Sequence, residues 1–328
     1  MENTRLSIPT LFFAPIQNDI QEVEQLIRAQ ATGYHPDLQA ALDHLLLSGG
    51  KRIRPTVTLL IGKMLGAAPQ PLLNLAAAIE LLHTATLVHD DLIDGSLLRR
   101  GNSTLNAKWS PGATVLTGDF LFSRAAMLAA GSTSIPVMEL FASTLSEIVN
   151  GELAQLFNAS CQIDREEYNR RIYAKTASLF QTSAAAPALL SDAPAEIVDA
   201  FRQYGYEIGM AFQIMDDILD FTGQQEVLGK PVASDLRHGI ITLPTICYVE
   251  QNPQAAEVIA LRSGDCSTST QNLDALIEAI RTSGAITQAA AEAQDHVRRA
   301  VEALDRLPDY PEKPHLEHLA RYIVDREL

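Results

Sequence analysis

Residues 70–95 read QPLLNLAAAIELLHTATLVHDDLIDG, a leucine- and alanine-rich stretch that closes on three aspartates. Apolar residues recur through it at helical spacing, which predicts one long helix with Asp90, Asp91 and Asp94 at its C-terminal end. The placement carries a cost. Asp90 and Asp94 are four apart, share a face and repel, and carboxylates also sit badly at the negative end of a helix dipole. Something must offset that charge.

Outward from this stretch the same periodicity runs through 17–31, 37–48, 55–66, 112–131, 135–160, 165–190, 194–222, 240–251, 271–281, 284–306 and 314–326. The breaks fall at SGGKRIRP, NSTLNAKWSPG, GSTSIP and RSGDCSTST, none long enough for a domain linker. Almost half of the 328 residues are hydrophobic, and alternating β-branched runs are scarce. The expected fold is all-α, with residues 1–328 as one domain.

A formal charge of −15 speaks against nucleic acid as a partner, because backbone phosphates need a broad basic surface. Cys161, Cys247 and Cys266 are widely spaced and form no CxxC pair, which fits a reducing compartment without disulfides or a zinc site. The N-terminus, MENTRLSIPTLFFAPIQ, is a poor signal peptide. No run is read as approaching a membrane span. A cytoplasmic setting is expected.

The aspartate pattern recurs. MDDILDFTG places Asp216, Asp217 and Asp220 at the same D-D-x-x-D spacing, again at the end of a long apolar helical stretch. A solvated acidic helix end would account for one such cluster; two of equal spacing point to shared cations. Mg²⁺ is commonly held by one or two carboxylates plus water and substrate phosphates, so facing triads suit a metal-bridged diphosphate. Basic residues complete the picture. Arg99 and Arg100 follow the first triad, and Lys51, Arg52 and Arg54 follow Gly49-Gly50, where arginine forks match phosphate oxygens.

Together GGKRIRP, HTATLVHDDLIDGSLLRRG, GDFLFSRA, GELAQ, KTASLF, FQIMDDILDFTG and GKPVASDL, in that order between residues 49 and 236, make the chain resemble the trans-isoprenyl diphosphate synthases. The resemblance implies a large helical bundle with a central cavity, in which an allylic diphosphate ionises, isopentenyl diphosphate attacks the allylic carbon and a proton is lost. It implies Mg²⁺, three ions per site with diphosphate bound, held by Asp90, Asp91, Asp94, Asp216, Asp217 and Asp220. Arg99, Lys175 and Lys230 would grip the allylic diphosphate, and Lys51, Arg54, His83 and Arg100 the isopentenyl diphosphate. Thr176 and Gln213 match positions facing the reacting carbons. A homodimer through helices around 112–160 is also implied.

Departures and chain length complete the reading. Where short-chain members of the family often carry a lysine five residues beyond the aspartate of GKPVASDL, this chain has Ile240, which leaves the roles of Arg237 and His238 open. Bulky aromatics at the positions of Ala85 and Thr86 give short products in the family; here both are small. From Thr86 to Ile79 is about 10 Å of helix rise, with Leu82, or Phe141, Leu145 and Ile148, as candidate floors. A product longer than twenty carbons is expected; geranylgeranyl or farnesyl diphosphate synthase is the alternative. A class I terpene cyclase would have a different second metal motif, and a non-catalytic subunit would be expected to have lost acidic or basic residues.

Overall fold

A computed structural model describes residues 12–47, 50–99, 101–157, 163–223, 231–263 and 270–325. After a short 3₁₀ turn, the chain forms α1 (Gln17–Ala29), α2 (Pro36–Leu47), α3 (Ile53–Met64) and α4 (Pro69–Ile93). A two-residue ribbon follows, β1 (Leu98–Arg99) paired antiparallel with β2 (Asn102–Ser103), Arg99 opposite Asn102. Then come α5 (Leu105–Lys108), α6 (Pro111–Ala130), α7 (Ile135–Phe157), α8 (Arg165–Ile172), α9 (Ser178–Leu190) and α10 (Ala195–Thr222). The C-terminal part holds α11 (Ser234–Arg237), α12 (Leu243–Gln251), α13 (Ala256–Ser263), α14 (Thr270–Thr282), α15 (Ala285–Asp305) and α16 (Lys313–Asp325).

The long helix is the axis of the molecule. A proline in its first turn supplies the fixed φ that a helix start favours, and Gly95, at φ +63, turns the chain immediately after Asp94. Helices α1, α3, α6 and α9 pack around it, so Leu75 to Ile79, Leu81, Leu82 and Ala85 are all removed from water. By length and hydropathy α4 would suffice to cross a membrane, which corrects the expectation that no run approaches that length. However, 72% of its most apolar window is buried inside the protein, and that is where its apolarity is used.

A second axis is α10, which packs on α9, α15 and α16. The facing stripe of α15 is Ala285, Ala289, Ala293, Val297, Ala300 and Ala303, small side chains at helical spacing that let the two helices lie close. One apolar cluster surrounds α4, and another surrounds the C-terminal half of α10.

The stretch 165–190 differs from its reading as one α-helix. Between α8 and α9, residues Tyr173–Ala177 form a π-helical turn, the kind of single-turn bulge that recurs at functional sites. The turn is gripped from two sides. A Cβ on Gly151 of α7 would lie 2.5 Å from the Ala174 Cβ, and one on Gly209 of α10 would lie 2.6 Å from the Ala177 Cα. Glycine at both places is what allows this approach.

Candidate active site

The π turn sets Lys175 and Thr176 between the two acidic clusters. Lys175 Nζ donates to Glu152 Oε1 at 2.8 Å and lies 3.8 Å from Asp90 Oδ2. Burial pushes Asp90 up to about 6, with Glu152 and Asp94 adding to the rise and Lys175 and Arg99 opposing it. Burial works against the Lys175 ammonium, yet Asp90 and Glu152 outweigh it and hold its pKa above the usual lysine value. Asp91 turns inward, where Arg99 from the ribbon clamps it: Nε lies 2.9 and 3.1 Å from its two oxygens. The charge at the end of α4 is thus offset by Arg99 on Asp91 and by Lys175 beside Asp90. Asp94 is exposed.

Thr176 reaches the other cluster. Its hydroxyl donates to Gln213 Oε1 at 2.6 Å, and Gln213 Nε2 donates to Asp217 Oδ1 at 2.8 Å. The second Asp217 oxygen accepts from the Tyr168 hydroxyl at 2.8 Å. Burial pushes Asp217 up to about 8, the charge of Asp235 adds to this, and the bonds from Gln213 and Tyr168 hold it back. Asp216 is half-buried on the same helix. Asp220 is engaged differently from its counterpart Asp94: its two oxygens accept from the backbone of Ser234 and Asp235 at 3.1 and 3.2 Å, capping α11. Ala233, just before that helix, is at φ +55.

The basic residues divide. Arg54 is buried, its guanidinium 4.3 Å from the Phe180 ring centre and 5.9 Å from that of Phe212, next to Gln213. Lys51 is exposed, its ammonium 5.8 Å from the Tyr322 ring. Arg52, read from sequence as part of the same anion grip, is a structural tie instead: it bridges Glu24 at 3.0 Å and the buried Glu80 at 2.9 Å. His83 is half-buried. Arg100 and Lys230 lie outside the described residues. Arg237 and His238 are engaged locally, Arg237 with Val232 O and Asp274, His238 with Ser234 O.

A family model, polyprenyl synthetase, matches residues 35–280. The chain belongs to the polyprenyl synthetase family. It is 38% identical over 315 residues to heptaprenyl diphosphate synthase component 2 of Geobacillus stearothermophilus, spanning 95% of this chain and 97% of that one. Octaprenyl diphosphate synthase of Escherichia coli K12 is 34% identical over 316 residues, 95% of this chain and 92% of the relative. Among solved structures, a polyprenyl synthase from Caulobacter crescentus CB15, complexed with calcium and isoprenyl diphosphate, superposes with a TM-score of 0.90. It is 34% identical and covers 97% of this chain and 98% of its own.

This polyprenyl synthetase family member is an enzyme of the polyprenyl diphosphate synthase type. Among its described residues, no group of three or more His, Cys, Asp or Glu side chains forms a protein-only metal cage. The donors at the two clusters are carboxylate oxygens, the hard ligands that Mg²⁺ and Ca²⁺ prefer, and Mg²⁺ takes only one or two of them when phosphates complete its shell. Ala85 and Leu82 are fully buried and Thr86 is half-buried, its hydroxyl bonded to His83 O at 2.7 Å. Phe141 and Ile148 are buried on α7, and Leu145 is partly so.

Sequence reasoning passed over Glu152, Tyr168 and Asp235 as site residues. Glu152 lay in the quoted GELAQ, and Tyr168 stands seven residues, about two turns, before Lys175. Asp235 served only as a landmark, and its charge acts on Asp217.

Proposed function

We propose that the protein condenses isopentenyl diphosphate with an allylic diphosphate, head to tail, to make an all-trans polyprenyl diphosphate longer than twenty carbons. The observation that carries this reading is the bridge across one π turn, Lys175 beside Asp90 and Thr176 bonded through Gln213 to Asp217. It supports reading both acidic clusters as one site, in a family whose named relatives include a heptaprenyl diphosphate synthase component 2 and an octaprenyl diphosphate synthase. Small residues at Ala85 and Thr86 support the long product.

In this reading Asp90, Asp91, Asp94, Asp216, Asp217 and Asp220 are the Mg²⁺ ligands, three ions per site with diphosphate bound. The bound cations supply positive charge where the departing diphosphate becomes more negative. Lys175, with Arg99 and Lys230, holds that diphosphate. Lys51, Arg54, His83 and Arg100 hold isopentenyl diphosphate, and Thr176 and Gln213 turn their dipoles toward the allylic cation. The working assembly is a homodimer of single-domain chains in the cytoplasm. A relative named as component 2 makes a two-component enzyme the second reading.

The test is incubation of purified protein with isopentenyl diphosphate, Mg²⁺ and allylic primers of ten, fifteen and twenty carbons, with products sized by mass spectrometry. The expected result is a ladder ending beyond twenty carbons that chelator abolishes and Mg²⁺ restores. A stop at fifteen or twenty would overturn the length assignment. No elongation from folded protein would favour the two-component reading.

A further inference from the structure

The hydrogen bonds around Asp217 form one continuous chain, and its far end, Tyr168, has no part in the proposed function. Tyr168, on α8, is 1% exposed, Asp217 3% and Thr176 6%, so water has little access to these three, while Gln213 between them is half-buried. The links run from Tyr168 to Asp217 at 2.8 Å, from Gln213 to Asp217 at 2.8 Å and from Thr176 to Gln213 at 2.6 Å. We propose that Tyr168 is a positioning residue for prenyl transfer: acting through Asp217 and Gln213, it fixes the direction of the Thr176 hydroxyl.

Both Asp217 oxygens accept in the folded protein: the Tyr168 hydroxyl donates to one, and the amide nitrogen of Gln213 donates to the other. The amide oxygen is thereby turned to Thr176, and Thr176 must donate to it. Its hydroxyl proton is committed, and the oxygen offers only lone pairs to anything else that approaches. A positive charge meeting that oxygen finds the negative end of a dipole already set, with no reorganisation needed at the moment of reaction. Without the Tyr168 hydroxyl the carboxylate loses one of its two side-chain donors and can turn, the amide can flip, and the Thr176 proton is no longer forced to one side.

This inference rests on the reading of the protein as a prenyltransferase, and its test separates the two. Wild type, Tyr168→Phe, Thr176→Val and the double variant are compared. The expected outcome is a fall in kcat of about tenfold for Tyr168→Phe, less than for removal of a direct donor. KM for both diphosphates should stay within about twofold, and adding Tyr168→Phe to Thr176→Val should lower kcat no further. The same fall in both backgrounds would overturn the proposal, as would an effect confined to Mg²⁺ half-saturation, which would assign Tyr168 to the metal site.

Denaturant unfolding of the four proteins, without metal or substrate, gives a readout independent of turnover. Destabilisation by Tyr168→Phe should be smaller in the Thr176→Val background, because the chain is already cut. Strict additivity would sink the chain even if wild type proved to be an active synthase. Coupling in an inactive wild type would keep the chain and remove the proposed function.

Discussion

Asp90 and Asp220 are both read from sequence as ligands, yet their side chains have different surroundings. Asp90 lies 3.8 Å from the Lys175 ammonium with its charge opposed by burial, whereas both Asp220 oxygens already serve the start of α11. Asp90→Asn is therefore expected to lower kcat about a thousandfold, the upper range for removing one preplaced electrostatic group, with the fold retained by circular dichroism. Near-normal turnover would refute its role. Asp220→Ala should instead cost about 1 kcal/mol, as for a lost helix cap, and speed hydrogen exchange at the amides of Ser234 and Asp235. If exchange there is unchanged and only the Mg²⁺ requirement rises, the capping role is wrong. Chain length is also decided by single side chains. Thr86→Phe is the cleaner probe and should shorten the product, because Ala85 is fully buried and a phenylalanine there adds about 1–3 kcal/mol of overpacking.

At the scale of elements, the decisive feature is the π turn held between α7 and α10. Periodicity located nearly every long helix to within a few residues, since the buried stripes of α4, α10 and α15 repeat over many turns. It could not show the turn at 173–177, because a single widened turn leaves the apolar pattern on both sides almost intact. Nor could it find the ribbon at 98–103 or the short helices α5, α11 and α13, which span too few residues to establish a period. The triads were legible because charged residues stand out against apolar helices, whereas Lys175 was marked only by the resemblance that KTASLF carries. The structural role of Arg52 was not, because its partners Glu24 and Glu80 are distant in sequence. Gly209→Ala tests the grip. Its new Cβ would meet the backbone of Ala177 at 2.6 Å, which cannot swing aside as a flexible side chain can. A loss of about 1–3 kcal/mol is expected, together with impaired turnover as Lys175 and Thr176 are displaced. Wild-type stability and kinetics in this variant would show that the two helices can part freely.

For the molecule as a whole, two features lie away from the acidic clusters. Between α10 and α15, the buried Glu207 pairs with His296 at 2.5 Å and with Arg299 at 3.1 Å; Gln203 bonds it as well, and Asp295 also engages Arg299. Burial alone would raise the Glu207 pKa, but the bonds from His296 and Arg299 outweigh it and hold the carboxylate below its usual range. A depressed folded pKa stabilises at pH above the unfolded value and loses that contribution as pH falls through the folded one. Glu207→Gln should therefore cost about 3 kcal/mol near neutrality, as for breaking a buried pair. Its disadvantage against wild type should shrink as the pH drops below about 4. A constant difference in unfolding free energy across that range would contradict the assignment.

The other feature is apolar surface. On the neighbouring helices α6 and α7, Leu116, Met127, Ile135, Leu156 and Phe157 are all more than half exposed, and Val115, Val149 and Leu153 nearly so. A chain of formal charge −15 repels its own copies, so any self-association must come from area removed from water, and these exposed side chains are candidates to supply it. A self-complementary patch on one face gives a twofold dimer rather than an open chain. Light scattering should then report twice the 35.7 kDa of one chain, and Leu116→Glu with Leu153→Glu should reduce it to one, because each charge would be buried unpaired in the contact. A monomeric wild type at micromolar concentration would instead direct the search to a different second chain covering the same face.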